Sequence, residues 1–571
     1  MRVVFGRVWR LSFLVAAGPQ AWIGFVLFGI VLLFVGVDLY VDVLMIDWTG
    51  RFFDAVEQVD VDGTIRELGI FAILVLCSAG IFLVSDYLRK WLLLRWRAQL
   101  TDRALDAWTK NDAYWHLRPG LSAEAVDNPD QRVAEDCRRF VELLLLFSFD
   151  LLGRIAGVVT YVIVLWNLSD FVLSFSVFGF DVAIPRYMVW LALLYVLVSS
   201  VITHYSGRPL KDLFFRQEQR EADFRYTLIQ LRDNATEIAQ SGGKSAERRR
   251  LVARFDGIRR NWFKLIRREF ILGLFVRPYF QTILRVPTFF ALPAYFAGSV
   301  TFGGLMQMAG TYSRVTTTLS WFIFNYDELA EFTAVAQRLD DLFRATTDLD
   351  PVDRVATDIA LQIGTDQIST QGLQLATPDG RWLSAVPDIR ITSGERVWIT
   401  GPSGSGKSTL IAALTGLWRY GSGHVVVPDA SLLVLPQRPH VFNEGLAAAA
   451  CYPSDPADMD PKELDDILCK VGLSHRLSMM DISGAVATEG LSLGERQRLA
   501  MARVLLHRPD WVVLDEATSS LDLSSEAHLL SLLRQRLPDV TILCIAHREP
   551  VALDPTTTWK IGLDKDVRKT A

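Results

Sequence analysis

One segment of this 571-residue chain has the residue types and the spacing that bind phosphate. Its nine residues are Gly401, Pro402, Ser403, Gly404, Ser405, Gly406, Lys407, Ser408 and Thr409. They fit the pattern GxxxxGK[ST] and stand between an apolar run, Arg396–Thr400, and a helical pattern, Thr409–Trp418, as this strand–loop–helix motif requires. We expect backbone amides to surround phosphates, Lys407 to reach the β and γ oxygens, and the Ser408 hydroxyl to bind Mg²⁺. The segment therefore predicts a site for a nucleoside triphosphate with Mg²⁺.

A second candidate lies further along the chain, where an apolar run ends in two acids. Trp511–Leu514 predicts a buried strand, and Asp515 and Glu516 follow it directly. Asp515 is placed to hold Mg²⁺, directly or through water, and Glu516 is placed to polarise an attacking water. Two acids after a strand are common. It is their order and spacing after the phosphate-binding segment that favour hydrolysis.

Four more motifs follow in an order that is found in one family. Gln437 is similar to the Q-loop of that family, and Leu491–Glu495 (Leu-Ser-Leu-Gly-Glu) is similar to its LSGGQ signature. Ser519–Asp522 is similar to its D-loop, and His547, which follows the predicted strand Thr541–Ile545, is similar to its switch histidine. Together with the phosphate-binding segment and the acid pair, these motifs resemble the ATP-binding cassette (ABC) transporter family. The resemblance covers essentially the whole chain.

The resemblance implies how ATP is held and hydrolysed. Two cassettes pair head to tail, and the signature of one, at a helix N-terminus, meets the γ-phosphate on the other. Because this chain carries one cassette, the resemblance implies a homodimer of half-transporters. The residues that it implies as catalytic are Glu516, His547 and Gln437. The Mg²⁺ ligands that it implies are Ser408, Gln437 and Asp515, and the ATP contacts beyond the phosphate-binding segment are Ser492, Gly494, Glu495 and Asp522.

The sequence departs from the family pattern at two places. Leu493 stands where the signature usually has glycine, and Glu495 stands where it usually has glutamine. The aromatic residue that stacks on adenine in the family is not evident, because Leu375–Asp379 occupies that region and only Trp382 is nearby. These departures concern the signature and adenine, not the residues of hydrolysis.

Hydropathy divides the chain near residue 345. Half of the residues are hydrophobic and the mean hydropathy is +0.24 although 22% are charged, which indicates one part in lipid and another in water. Six apolar runs approach or exceed the ~20 residues that a helix needs to span a bilayer. They are Ala21–Ile46, Leu68–Leu94, Phe140–Trp166, Tyr187–His204, Phe270–Gly298 and Gly303–Phe324. Later runs have strand length. We therefore expect a multidomain membrane protein: a six-helix all-α transmembrane domain (1–345), of the ABC exporter type by resemblance, and an α/β P-loop nucleotide-binding domain (346–571).

The charge of the loops predicts the orientation in the membrane. Arg95–Arg139 carries eight Lys and Arg residues and His204–Arg268 carries sixteen, whereas Asp47–Glu67 carries two and Asn167–Arg186 one. Because basic loops stay in the cytoplasm, we expect a multi-pass membrane protein, in contact with lipid, whose nucleotide-binding domain is cytoplasmic. The resemblance to bacterial ABC transporters implies that this membrane is the bacterial inner membrane. The basic N-terminus predicts an amphipathic lead-in helix at the membrane surface. The net charge of −5 argues against a general nucleic-acid binder, and five scattered cysteines give no disulfide or metal framework.

Several motifs in the membrane domain narrow the resemblance. Val126–Arg132, which contains Asn-Pro-Asp-Gln-Arg, and Asn234–Gly243 look like motifs of the peroxisomal fatty-acyl (D-subfamily) transporters and their bacterial relatives. Tyr295–Gly298, Gly303–Gln307 and Leu319–Phe322 look like the bacterial SbmA/BacA-type membrane domain. This resemblance implies import of a bulky hydrophilic solute such as cobalamin or a peptide. Export or flipping of a lipid, fatty-acyl or drug-like substrate stays open. A nucleotide-gated channel or regulatory ATPase also stays open, but it predicts degenerate catalytic residues, and Glu516 and His547 argue against that.

Ionisable residues inside the predicted spans are costly in lipid and indicate either a cavity or an internal pair. They are Asp38, Asp42, Asp86, Asp150, Arg154, Arg277 and Arg285. Asp150 and Arg154 are four residues apart, so they can pair along one helix face. For Asp38 and Asp42, which lie near the outer end of the first span, we favour a structural or interfacial role.

Overall fold

The computed structural model describes residues 2–18, 20–118, 128–177, 180–283, 285–347, 359–364, 366–378, 380–386, 388–402, 404–441, 445–479, 490–561 and 567–570. The chain forms two compact units, one of Met1–Tyr114 and Val126–Thr347, the other of Trp115–Ala125 and Asp348–Ala571. The change of unit after Thr347 lies two residues beyond the position that hydropathy indicates. Hydropathy does not single out the short segment 115–125, which belongs to the second unit.

Helices of six or more residues make up most of the first unit. They are α1 (Arg2–Ala16), α2 (Ala21–Glu57), α3 (Val61–Thr109), α4 (Cys137–Leu168), α5 (Tyr187–Asp233), α6 (Ala235–Gln240), α7 (Lys244–Ile283), α8 (Val286–Phe296), α9 (Phe302–Phe324) and α10 (Tyr326–Thr347). Each of the six apolar runs lies in this set, and the fifth is divided between α7 and α8. Pro287, in the first turn of α8, has no N–H for the preceding turn, which favours a new helix start. An antiparallel hairpin of β1 (Val172–Val177) and β2 (Phe180–Pro185), which the sequence does not predict, lies between α4 and α5.

Three helical segments of the described ranges are long and apolar enough to cross a membrane. They are Ala21–Glu57, Val61–His116 and Pro129–Leu168, and shorter apolar segments cover Tyr187–Thr203 and Val286–Phe296. Apolar side chains along α3 remain exposed, as expected where the surroundings are lipid tails. Examples are Ile73, Leu76, Phe82 and Leu83.

Helix α1 is the expected lead-in helix, but it packs onto α10. Arg7 and Arg10 approach the carboxylate of Asp340 at 3.4 and 3.1 Å, and that side chain is 1% exposed. Leu11 and Val15 of α1 are fully buried. The two arginines, together with Arg344 at 3.0 Å, therefore neutralise a buried acid of the protein.

The second unit contains two sheets and several helices. The strands are β3 (Ala360–Gly364), β4 (Gln367–Ala376), β5 (Trp382–Ala385), β6 (Arg390–Thr392), β7 (Arg396–Thr400), β8 (Gly421–Pro428), β9 (Leu432–Leu435), β10 (Trp511–Asp515), β11 (Thr541–Ile545), β12 (Thr557–Ile561) and β13 (Val567–Thr570). The larger sheet has the order β13-β12-β7-β11-β10-β9, with parallel neighbours except for the antiparallel β13. The smaller sheet has the order β3-β8-β4-β5, with β6 paired to β4. The longer helices are α11 (Lys407–Leu414), α12 (Leu446–Cys451), α13 (Pro461–Lys470), α14 (Leu493–His507) and α15 (Leu523–Arg536).

Strand β10 illustrates how the central sheet is stabilised. Val512 and Leu514 belong to one buried cluster, and Trp511 and Val513 belong to another. Because successive side chains of a strand point to opposite faces, the strand is covered on both sides, and its sequence is apolar throughout. Strands β7, β9, β10 and β11 run parallel, so the segments that follow them meet at one edge of the sheet.

Candidate nucleotide-binding and hydrolysis site

The phosphate-binding segment forms the turn between β7 and α11. Gly406 has φ +90°, and a Cβ at Gly401 would lie 2.5 Å from the carbonyl oxygen of Ile561, so both positions need glycine. Lys407 is buried and its Nζ donates to the carbonyls of Gly401 and Pro402, at 2.9 Å each. The buried Ser405 Oγ has no hydrogen-bond partner in the described part of the chain. A loop that offers an ammonium group, an unpartnered hydroxyl and a helix N-terminus fits phosphate; Ser403 lies outside the described residues.

The three predicted catalytic residues are in contact, because Gln437 and His547 both meet the carboxylate of Glu516. Gln437 follows β9, and its Nε2 donates to Glu516 Oε2 at 2.7 Å. His547 follows β11, and its Nε2 lies 3.1 Å from Glu516 Oε1. The backbone of Glu516 is left-handed, with φ +52°, and its N–H donates to the carbonyl of Ile545 at 3.0 Å. A non-glycine residue in this region is strained, and such strain is concentrated at functional sites.

Asp515 and Ser408 form the candidate Mg²⁺ site. Burial raises the pKa of the Asp515 carboxyl and the adjacent Glu516 adds to the effect, whereas a hydrogen bond from Ser408 and the charge of Lys407 oppose it. A hydroxyl and a carboxylate are oxygen donors of the kind that Mg²⁺ prefers. Within the described ranges, no group of three or more His, Cys, Asp or Glu side chains could hold a metal ion alone. The hydroxyl and the carboxylate fit a Mg²⁺ ion.

The signature forms the start of α14. Ser492 is the N-cap: its Oγ accepts from the N–H of Glu495 at 3.2 Å, while Glu495 Oε2 accepts from the N–H of Ser492 at 2.8 Å. Arg476 Nε and His475 Nε2 also contact Glu495 Oε1, at 3.0 and 2.8 Å. Burial alone would raise the pKa of Glu495, but these hydrogen bonds outweigh it and hold the pKa at about 2. The glutamate that replaces the usual glutamine thus fixes the helix start.

Asp522 has a similar place at the start of α15. It is the N-cap, and its carboxylate accepts from the N–H of Ser525 at 3.2 Å and from the hydroxyl of Ser524. These hydrogen bonds lower the pKa of Asp522 well below its usual range. In the described residues, no hydrogen bond or ion pair joins Ser492, Gly494, Glu495 or Asp522 to the phosphate-binding segment. Within one chain, the predicted ATP contacts therefore fall into two separate groups.

Gln497 is a residue of this region that none of the sequence motifs indicates. It is 1% exposed on α14, and its Nε2 donates to the carbonyl of Gln437 at 3.2 Å and to Ser519 Oγ at 3.3 Å. Its Oε1 accepts from the N–H of Ser520 at 3.0 Å. One buried amide thus connects the signature helix to the segments that carry Gln437 and Asp522. A polar residue at a core-facing helix position was the available signal.

Comparisons with known proteins agree with this geometry. Residues 14–296 match the family model for ABC transporter transmembrane region 2, and residues 387–519 match the model for ABC transporter. The chain is 32% identical to the inner membrane ABC transporter ATP-binding protein YddA of Escherichia coli (strain K12), over 90% of this chain and 89% of that protein. This chain belongs to the ABC transporter family. It is an ATP-binding, ATP-hydrolysing transporter and a multi-pass protein of the inner membrane.

Further relatives place it beside the D family of half-transporters. It is 30% identical to ABC transporter D family member 2, chloroplastic, of Arabidopsis thaliana, over 88% of this chain and 78% of that protein. It is 24% identical to human ATP-binding cassette sub-family D member 3, over 82% and 75%. A solved bacterial Atm1-family ABC exporter with ATP bound superposes with a TM-score of 0.71 at 17% identity and covers 93% of this chain and 92% of that one. The transporter thus has the exporter-type fold.

The membrane domain of the transporter holds a charged cavity. Its volume is about 320 Å³, and α2, α3, α4 and α9 contribute to its lining. The charged residues of the lining are Asp38, Asp42, Arg89, Asp150 and Arg154. Arg154 makes no hydrogen bond or ion pair in the part of the chain that the structure describes. Three carboxylates and two guanidinium groups therefore face one space inside the helices.

The contacts in this cavity can be compared with the expectations for the ionisable residues of the spans. Asp42 pairs with Arg314 and accepts a hydrogen bond from the hydroxyl of Tyr161 at 2.6 Å, which is a structural role of the kind expected, and it lines the cavity together with Asp38. Asp150 pairs with Arg89 of α3 at 3.2 Å, not with Arg154. The other three ionisable residues predicted in the spans, Asp86, Arg277 and Arg285, are not among the residues that line the cavity. Asp86 pairs instead with Lys90 of the same helix.

Proposed function

We propose that two copies of this chain form a homodimeric transporter that uses Mg-ATP to move a bulky hydrophilic solute, such as cobalamin or a peptide, into the cytoplasm. Its branch within the family would be the SbmA/BacA-like one. The observation that carries the cargo class is the intramembrane cavity with charges of both signs. A pathway for lipid tails does not need such charges, and ionisable groups within membrane spans usually mark substrate or ion paths.

Hydrolysis is assigned to the residues around Glu516. Its carboxylate polarises the attacking water, and Gln437 and His547 hold one oxygen each, so the carboxylate is oriented before the water arrives. Lys407 exchanges its two loop carbonyls for phosphate oxygens. Ser408, Asp515 and Gln437 would hold Mg²⁺, which neutralises charge that develops on the phosphates.

The separation of the ATP contacts supports the homodimer. Within the described residues, no hydrogen bond or ion pair joins the signature residues at α14 to the phosphate-binding segment of the same chain. A second copy, turned head to tail, brings its Ser492 and Gly494 to the phosphates. In this arrangement Glu495 and Asp522, which also fix the two helix starts, come to the interface with ATP.

A second candidate is outward movement of a lipid or fatty-acyl substrate. The D family relatives, one of them 30% identical, favour it. The direction of transport is not a property of the exporter-type fold, because one fold serves several functions.

Reconstituted vesicles distinguish the two. The purified dimer is inserted with its cassettes outward and receives external Mg-ATP, so import into a cell corresponds to release from the lumen. We expect ATP-dependent loss of entrapped cobalamin or peptide, absent in Glu516→Gln and reduced in Arg154→Leu. Arg277→Leu, which removes an arginine outside the cavity lining, is the matched control and should release solute normally. ATP-dependent accumulation of the solute, or transfer of labelled lipid without solute movement, would reject the proposal.

A further inference from the structure

A basic groove lies between α5 and α7 of the first unit. It has a volume of about 500 Å³, and four cations contribute to its lining: Arg216, Lys264, Arg267 and Arg268. The acidic residue among those that line the groove is Asp212, so the lining has four positive charges and one negative charge. The excess positive charge indicates an anionic ligand.

Hydrogen bonds between the two helices fix the level of the groove. Asn261 Nδ2 donates to the carbonyl of Leu213 at 2.9 Å, and Arg220 donates to the carbonyl of Gly257 at 2.7 Å. The helices are thus antiparallel, with residues 209–216 level with residues 261–268. The apolar segment of α5 ends at Thr203. At about 1.5 Å per residue, the groove begins ~9 Å beyond that end, where lipid headgroups lie on the cytoplasmic side.

In the part of the chain that the structure describes, none of the four cations makes a hydrogen bond or an ion pair. Other cations on the same helices do: Arg259 pairs with Asp256 at 3.2 Å, and Arg254 pairs with Asp223 at 3.4 Å. Since like charges repel, a cluster of free guanidinium and ammonium groups is stabilised by an anion from outside the chain.

An apolar surface continues from the groove toward the bilayer. Ile271 belongs to the lining, and Phe270 and Leu274 are 67% and 62% exposed on the same helix. A free phosphate would not use these side chains, whereas the acyl chains of a lipid would cover them.

We propose that this groove binds the headgroup of an anionic phospholipid in the cytoplasmic leaflet. The guanidinium groups of Arg267 and Arg268 hold its phosphate, Lys264 and Arg216 add charge, and the acyl chains lie along Phe270 and Leu274. The site is independent of the cargo and of the direction of transport.

Native mass spectrometry of the purified full-length protein tests this site. Phosphatidylglycerol or phosphatidylcholine is titrated, and the fraction of protein with bound lipid is measured. The variant is R267Q/R268Q; the control is R259Q/R260Q, which removes the same charge from the same helix at arginines that contact Asp256. We expect phosphatidylglycerol to bind in preference to phosphatidylcholine, and the variant to weaken its binding on the order of 30-fold, with the control near wild type.

Two further measurements complete the test. Arg216→Gln, on the facing helix, should also weaken phosphatidylglycerol binding. If the double variant does not fold, this single variant tests the proposal in its place. Inorganic phosphate at millimolar concentration should not displace the lipid. Equal binding of both lipids, equal loss in the control, no loss in either variant, or displacement by phosphate would each overturn the proposal.

Discussion

Replacing Gln497 by leucine should slow ATP hydrolysis without removing ATP binding. The side chain makes three hydrogen bonds, to the carbonyl of Gln437, to Ser519 Oγ and to the N–H of Ser520. Three bonds at about 1 kcal/mol each give about 3 kcal/mol. Ser519 and Ser520 are exposed, so water replaces part of the lost hydrogen bonding, and the leucine side chain adds apolar burial. We therefore expect the free energy of unfolding to fall by about 1–2 kcal/mol. For a unit of this size that lowers Tm by about 2–8 °C.

The effect on turnover follows from the position of Gln437. Without its anchor, Gln437 shifts relative to Glu516, and a displacement of ~1 Å near a reacting group costs about 10²-fold. We therefore expect kcat to fall by about 10- to 100-fold while the affinity for Mg-ATP stays near wild type, because the phosphate-binding segment is not touched. ATPase kinetics, nucleotide binding and thermal melting of the full-length protein measure the three quantities.

The same substitution at an exposed position provides the control. Gln535→Leu on α15 should leave all three quantities unchanged. Wild-type turnover in Gln497→Leu would refute the reasoning, since the amide would then not position Gln437. Loss of Mg-ATP binding would refute it too, because the defect would lie at the phosphates.

Three further predictions concern single carboxylates. Glu516→Gln should bind Mg-ATP and accumulate a closed dimer while kcat falls by about 10²–10⁴-fold, and near-normal ATPase activity would remove Glu516 from its role. The pKa of Glu495 is about 2, below its ordinary value of 4.5, so the stability that its carboxylate contributes is present above pH ~4.5 and is lost as the pH falls toward 2. The Tm difference between wild type and Glu495→Gln should therefore shrink over this pH range. A Tm difference that stays constant would contradict this prediction. Asp136 is buried and accepts two hydrogen bonds from Arg338, at 2.8 and 2.6 Å, so Asp136→Ala should lower the free energy of unfolding by about 3 kcal/mol, seen as a lower Tm, while the exposed Asp130→Ala should not.

The sequence predicted most of the secondary structure that positions the site. The apolar runs at Arg396–Thr400, Trp511–Leu514 and Thr541–Ile545 are strands, as their length and flanks indicated. The hairpin of β1 and β2 was missed because its alternation is short and lies between long apolar spans, where a loop is the usual interpretation. The contact of α1 with Asp340 was missed because hundreds of residues separate the partners, and no local pattern records such a pairing.

The sequence by itself determined the chemistry of the phosphate-binding segment, because a contiguous motif holds its glycines, Lys407 and Ser408 at fixed spacing along one turn. The tertiary structure alone decided which distant groups meet. The order of the parallel strands brings Gln437 and His547 to Glu516. The packing of the helices pairs Asp150 with Arg89, and Arg154 faces a cavity. Local spacing records steric and periodic needs, whereas the partner of a charge depends on which helices and strands become neighbours. That choice is made by burial over the whole unit, not by any one segment.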